Sequence, residues 1–204
     1  MNPELVLVVS DMFVPIRRKD IPEQFKTVLV PNKIHHVVTL GNIGSNESYD
    51  WLKSLSNDCH NIKGNFDTKD FPEEDVFQVA EFKIGMIHGH QVNPSGNINA
   101  LSCVQRELGC DILLHGFTHI FDIKCQNGCL FVNPGSISGA NNSIAPSTIP
   151  CFVLMVIQGD EAIIYSYLLN DSKENFTVTK YEYKKGSNEY KISVDEEEEN
   201  KPEA

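Results

Sequence analysis

Glu4-Leu5-Val6-Leu7-Val8-Val9 runs straight into Ser10-Asp11-Met12-Phe13. A run of this length that is apolar on both faces reads as a buried strand of a sheet covered on both sides. The loop Ser10–Asp20 follows. Ile21–Leu29 then has helical spacing, with Pro22 in the first turn and Ile21, Phe25, Val28 and Leu29 apolar. His36–Leu40 is a second strand and Gly41–Asn46 a loop. Ser48–Leu55 is a helix with Tyr49, Leu52 and Leu55 on one face, and Cys59–Ile62 is a third strand. Strand alternating with helix predicts βαβ units and a parallel sheet in this half.

The pattern then changes. Val76–Glu81 and Phe82–His88 are adjacent strand-like runs, and Asn97–Leu108 is a helix closed by Gly109. Asp111–Leu114 is a buried strand, followed by runs over 119–125, 129–132, 150–157, 161–169 and 175–183. A mixed second sheet is expected. Asn127-Gly128 between Cys125 and Cys129 marks a tight hairpin rather than a zinc knuckle, since no second Cys/His pair follows at a standard spacing.

The chain has 204 residues, 41% apolar and 22% charged, with a net charge of -11. That fits one globular domain, expected over residues 1–186, with an acidic tail over 187–204 whose segment Ser193–Ala204 reads as disorder. Residues 195–204 hold six acids and one lysine, so five of the negative charges sit there. The balance argues against nucleic-acid binding, which needs clustered Lys and Arg. No apolar run approaches the roughly 18 residues of a membrane helix. Met1-Asn2-Pro3-Glu4 has no basic segment and Leu5–Val9 is too short for a signal sequence, so the six cysteines are expected as thiols.

In an open α/β sheet, ligands bind beyond the carboxyl ends of the strands. Those ends carry Asp11, Gly41-Asn42, Gly64-Asn65-Phe66-Asp67, His88-Gly89-His90 and Gly116-Phe117-Thr118-His119. Singly, each residue reads as a loop cap or a buried histidine. Together they are the oxygen-and-imidazole set of a site for divalent first-row ions. His35 and His36 belong to no motif and read as structural.

The series resembles the calcineurin-like metallophosphoesterases, whose loops read Asp-x-His, Gly-Asp, Gly-Asn-His, an isolated His, and Gly-His-x-His. The resemblance covers about residues 4–170. It is closer still to the branch of that family that serves as a subunit of the retromer sorting coat. Val30-Pro31-Asn32-Lys33-Ile34, Glu47-Ser48-Tyr49-Asp50, Ile87-His88-Gly89-His90-Gln91-Val92 and Asn133-Pro134-Gly135-Ser136 carry it. The implied fold is α/β: a sandwich of two mixed sheets flanked by helices, in four layers αββα.

The family's ligands map onto Asp11, Asn42, Asn65, His88 and His119, with imidazoles replaced by Phe13 and Phe117, the bridging Asp by Asn42 and the catalytic His by Phe66. A neutral amide bridges two dications poorly, so no activity and no metal are expected. The alternative is weak Zn or Mn held with help from Asp67, His90 or His115, as a working phosphoesterase or a metal-sensing module.

The resemblance implies two partner surfaces. A helical-solenoid subunit of retromer docks over the old pocket, lined by Phe13, Phe66 and Phe117. Regulators such as a Rab GTPase-activating protein dock on Leu5, Val28, Leu154, Tyr165 and Tyr167. Two bland readings stay open: the phenyl rings fill the volume left by the metals, and Leu154 and Val28 are core. The implied location is cytoplasmic, peripheral to endosomal membranes through the complex.

Overall fold

β1 (Glu4–Val9) lies inside a seven-stranded sheet, as its two-sided apolar sequence requires. Val6 and Val8 point to a second sheet, while Leu7 and Val9 point outward beneath helices. The computed structural model describes residues 2–169 and 175–194. The remaining elements in chain order are α1 (Glu23–Val28), β2 (His36–Thr39), α2 (Asn46–Leu55), β3 (Asp58–Asn61), β4 (Glu74–Val79), β5 (Phe82–Ile87) and α3 (Ile98–Leu108). They continue with β6 (Ile112–Leu114), β7 (Phe121–Gln126), β8 (Cys129–Pro134), β9 (Cys151–Gln158), β10 (Glu161–Leu169), β11 (Phe176–Lys184) and β12 (Tyr190–Val194).

The first sheet has the order β12-β11-β10-β9-β1-β2-β3 and the second β4-β5-β6-β8-β7. β1, β2 and β3 pair in parallel, as the alternation predicts. β9 then adds antiparallel to the free side of β1, so both sheets are mixed. The largest core lies between the sheets. A second core packs the first sheet on α1 and α2, and a third packs β5, β6 and β8 on α3. The layers are αββα, as the resemblance implies.

Local chemistry sets the helix ends. Asn97 caps α3 by accepting from the N–H groups of Asn99 and Ala100, and Gly109 closes it in the left-handed conformation at φ 60°. Ser45 caps α2. α1 is shorter than the expected Ile21–Leu29: Asp20 takes the Ile21 N–H outside the helix, and Leu29 leaves helical geometry while remaining buried. The hairpin between β7 and β8 turns on Asn127 and Gly128, at φ 54° and 71°.

The boundary drawn at residue 186 needs correction. β12 pairs with β11 in the register Tyr183↔Tyr190 and Tyr181↔Ile192, and the Tyr190 hydroxyl donates to the Ile123 carbonyl at 3.1 Å. The segment's single apolar alternation is weak alone and gains its partner from the open edge of β11. Of the stretch read as disorder, Ser193 and Val194 belong to this strand, and residues 195–204 lie outside the described residues.

Candidate functional site

The loops after β1, β2, β3, β5 and β6 meet at one end of the sandwich. Backbone geometry there is unusual. Asp11, Phe13, Asn42, Phe117 and His119 all have positive φ, between 49° and 70°. Each such residue costs about 1–3 kcal/mol, so the strain is concentrated where side chains must converge. Gly64 lets the β2 and β3 loops touch: a Cβ there would lie 2.3 Å from Asn42 Oδ1.

The structure brings together all five mapped positions. Asp11 and His88 are fully buried and Asn42 and His119 nearly so. Asp11 Oδ2 accepts from Ser10 Oγ and from the Phe117 N–H, both at 2.9 Å. Asp11 Oδ1 accepts from Asn42 Nδ2 at 3.0 Å and lies 3.2 Å from His119 Nε2. Burial is the strongest influence on the Asp11 carboxyl and raises its pKa. The hydrogen bonds of His119 and Asn42 and the charges of His88 and His119 outweigh it, so the net pKa is lowered.

Asn42 occupies the centre. Its Nδ2 lies 3.0 Å from Asp11 Oδ1, 3.0 Å from Asn65 Oδ1 and 2.9 Å from His88 Nε2. Its Oδ1 accepts from the Phe66 N–H at 2.9 Å. The reverse orientation would set an oxygen against three acceptors and leave that N–H facing a donor, so the network fixes the amide. His88 Nδ1 and His119 Nδ1 each donate to a carbonyl, of Leu40 and Ala140, which turns both Nε2 atoms toward Asp11 and Asn42.

The three phenylalanines separate. Phe13 is buried at 2% exposure, its ring 5.5 Å from Phe66 and 5.6 Å from His119. Phe66 stands at the rim, 59% exposed, and Phe117 is half-buried, its ring 5.7 Å from His88 and steeply inclined to it at 75°. Phe13 thus fills volume, while Phe66 offers surface. All three line a shallow pocket of about 400 Å³. Sequence reading missed Arg17, whose guanidinium sits 3.8 Å over the Phe13 ring, and the rim residues Asn142 and Ile144. Nothing in their spacing marks them. Asn142 and Ile144 arrive because Ser136 and Ser138 hydroxyls donate to the carbonyls of Asp11 and Met12, tying the 135–150 loop down, and Arg17 donates to the Asn141 carbonyl at 3.0 Å.

The expected substitute ligands are engaged by other groups. Asp67 Oδ2 is taken by the N–H groups of Asn42 and Gly64, at 2.6 and 2.9 Å. His90 lies 3.8 Å from Glu73. His115 is fully buried beside Asn133, and burial pushes its pKa down to about 4. An unfolded histidine titrates near 6.5. Stability from the neutral ring is therefore complete above that value and lost as pH falls toward 4. The unfolding free energies of wild type and His115→Gln should converge by about 3 kcal/mol between pH 7 and 4. Denaturant melts that stay parallel over that range would contradict this.

The other predicted surface lies on the outer face of the first sheet. Leu5, Val28, Leu154 and Tyr167 are half-buried around the helix-side core. Leu154 pairs with Leu7 and Tyr165, and the Tyr167 ring stacks on Phe152 at 4.6 Å. Val156 and Ile163, missed in sequence, extend the patch beside Leu5. None of the five predicted residues is fully buried.

Residues 5–160 match the calcineurin-like phosphoesterase superfamily domain. Vacuolar protein sorting-associated protein 29 (Vps29) of Schizosaccharomyces pombe is 40% identical over 186 residues, covering 89% of this chain and 98% of that protein. The chain belongs to the Vps29 family. Two solved members superpose closely. Vps29 of Entamoeba histolytica, complexed with zinc, is 37% identical with a TM-score of 0.79, over 93% of this chain and 98% of that one. Vps29 of Chaetomium thermophilum, complexed with a cyclic peptide, is 30% identical with a TM-score of 0.80, over 90% and 98%.

Proposed function

We propose that the chain is a non-catalytic scaffold subunit of the retromer sorting complex, binding the helical-solenoid subunit and regulators during retrograde transport from endosomes. Membership of the Vps29 family supports the retromer role. One observation supports the docking face: among the described residues, five of the six exposed large hydrophobics sit on loops at the pocket end. Ile16, Phe66, Ile120, Ile144 and Ile149 are each 46–72% exposed there. Phe66 and Ile144 line the pocket itself, and exposed apolar side chains at a concavity are a protein-binding feature.

The chemistry of the pocket argues against an enzyme. A two-metal phosphoesterase needs an anionic bridge and imidazoles around each ion. Here the two Asn42 amide hydrogens stand among Asp11, Asn65 and His88 and are shared between those three acceptors. The amide takes the place of a cation. We assign no cofactor; the zinc complex of the Entamoeba relative keeps weak Zn or Mn as the alternative. Leu5, Val28, Leu154, Tyr165 and Tyr167 are the regulator patch in this reading. The domain in this reading extends to Val194, the end of β12, before the acidic tail.

No helix among the described residues is long and apolar enough to cross a membrane. In this reading the chain is cytoplasmic and reaches endosomes through the complex, as the retromer role implies. The test is size-exclusion chromatography of the chain mixed with purified solenoid subunit. Co-elution as one complex is expected, and separate peaks would contradict the reading.

A further inference from the structure

The opposite end of the first sheet carries a second set of ligating side chains. His36 opens β2 and pairs in register with Asp58, which opens β3; His60 follows two residues later on the same strand face. Their ligating atoms all lie within 4.8 Å of one another. One Asp58 oxygen is 2.8 Å from His36 Nδ1 and the other is 3.2 Å from His60 Nε2. Both nitrogens are buried without a well-aligned hydrogen bond, with the Asp58 carboxylate as their ionic neighbour.

The surroundings orient the two rings. His36 Nε2 lies 2.8 Å from Glu4 Oε2, so a neutral ring carries its proton there and turns the Nδ1 lone pair to Asp58. Phe77 of the second sheet stacks on His60 at 3.8 Å and 15°, fixing that ring. A lone pair facing a carboxylate oxygen at 2.8 Å needs a cation to join them.

We propose that His36 Nδ1, Asp58 and His60 Nε2 bind a divalent zinc ion, with Glu4 holding His36 from behind. Zinc–ligand bonds of about 2.0–2.1 Å in tetrahedral geometry set ligand atoms about 3.3 Å apart; the His60–Asp58 separation of 3.2 Å is close to that, and the 2.8 Å between His36 and Asp58 would open slightly around the ion. Two imidazoles and one carboxylate favour zinc over magnesium or calcium, which take oxygen ligands. A carboxylate on the far nitrogen of a ligating histidine is the usual outer-shell arrangement. The Asp58 side chain is 54% exposed, which leaves the remaining position to water. The ion would join the edge strand β3 to β2, and it shares no residue with the Asp11 pocket.

The experiment is competition of the purified full chain against a chromophoric zinc chelator, with anomalous scattering at the zinc edge on wild-type crystals. One ion per chain with micromolar or tighter affinity is expected, located between His36 and His60. Glu4→Gln should weaken it 10- to 100-fold. His36→Gln and His60→Gln should abolish it, and Asp11→Asn should leave it intact. Absence of stoichiometric zinc would overturn the proposal and assign a proton to the gap. So would zinc placed at Asp11 and His119. The position is read on wild-type protein, so the outcome does not depend on whether a variant folds.

Discussion

Leu154→Asp or Tyr165→Asp is expected to reduce binding of a regulator such as a Rab GTPase-activating protein to the proposed patch by at least about 100-fold, while the solenoid subunit still docks. Leu154 sits mid-patch, paired with Leu7 and Tyr165 and flanked along β9 by Phe152 and Val156. An apolar patch contributes through area removed from water, at about 25 cal/mol per Å². A carboxylate at its centre must be desolvated without a partner, which costs several kcal/mol at a closed interface. A loss of about 2.8 kcal/mol is already 100-fold. Both side chains are half-buried, so a surface role and a packing role predict different melting temperatures. A small change in melting temperature with binding lost supports the patch. A sharp fall would make these residues core, and joint loss of both partners would merge the two surfaces.

The second large effect is rescue of metal binding. Phe13→His, Asn42→Asp, Phe66→His and Phe117→His together should raise affinity for manganese or zinc at the pocket by about 10⁴-fold or more, taking about tenfold for each restored group. The backbone is already shaped for it: Phe13, Asn42 and Phe117 hold positive φ beside Asp11 and His119. Asn42→Asp is the decisive change. It replaces amide hydrogens shared between Asp11, Asn65 and His88 with an oxygen that repels them until a cation enters. Anomalous scattering should show two ions within about 4 Å of each other in the quadruple variant. No ion at the pocket would mean that the residue-by-residue mapping of the loops is wrong.

What the sequence made legible follows from the range of the interactions. The strands, the capped helix α3 and the Asn127-Gly128 hairpin depend on neighbours a few residues away. The convergence of Asp11, Asn42, Asn65, His88 and His119 was readable because strand ends of an α/β sheet gather by topology. The contrast between Phe13 and Phe66 was not, because it depends on how the 135–150 loop is tied to the Asp11 loop. β12 was missed because its stability comes from the edge of β11 rather than from its own apolar content. The His36, Asp58 and His60 cluster was invisible for a similar reason. His36 is distant in sequence from Asp58 and His60 and meets them only through the register of β2 with β3.

Calorimetric titration of the purified solenoid subunit into this chain, in EDTA and then in excess manganese, separates a metal-free scaffold from a metal-dependent one. One-to-one binding of equal affinity is expected in both, because the proposed docking face uses Phe66, Ile144 and their neighbours and, in this reading, the Asn42 amide stands in for a cation. Binding that vanishes in EDTA and returns with manganese would contradict the scaffold role, and so would the absence of binding in either condition.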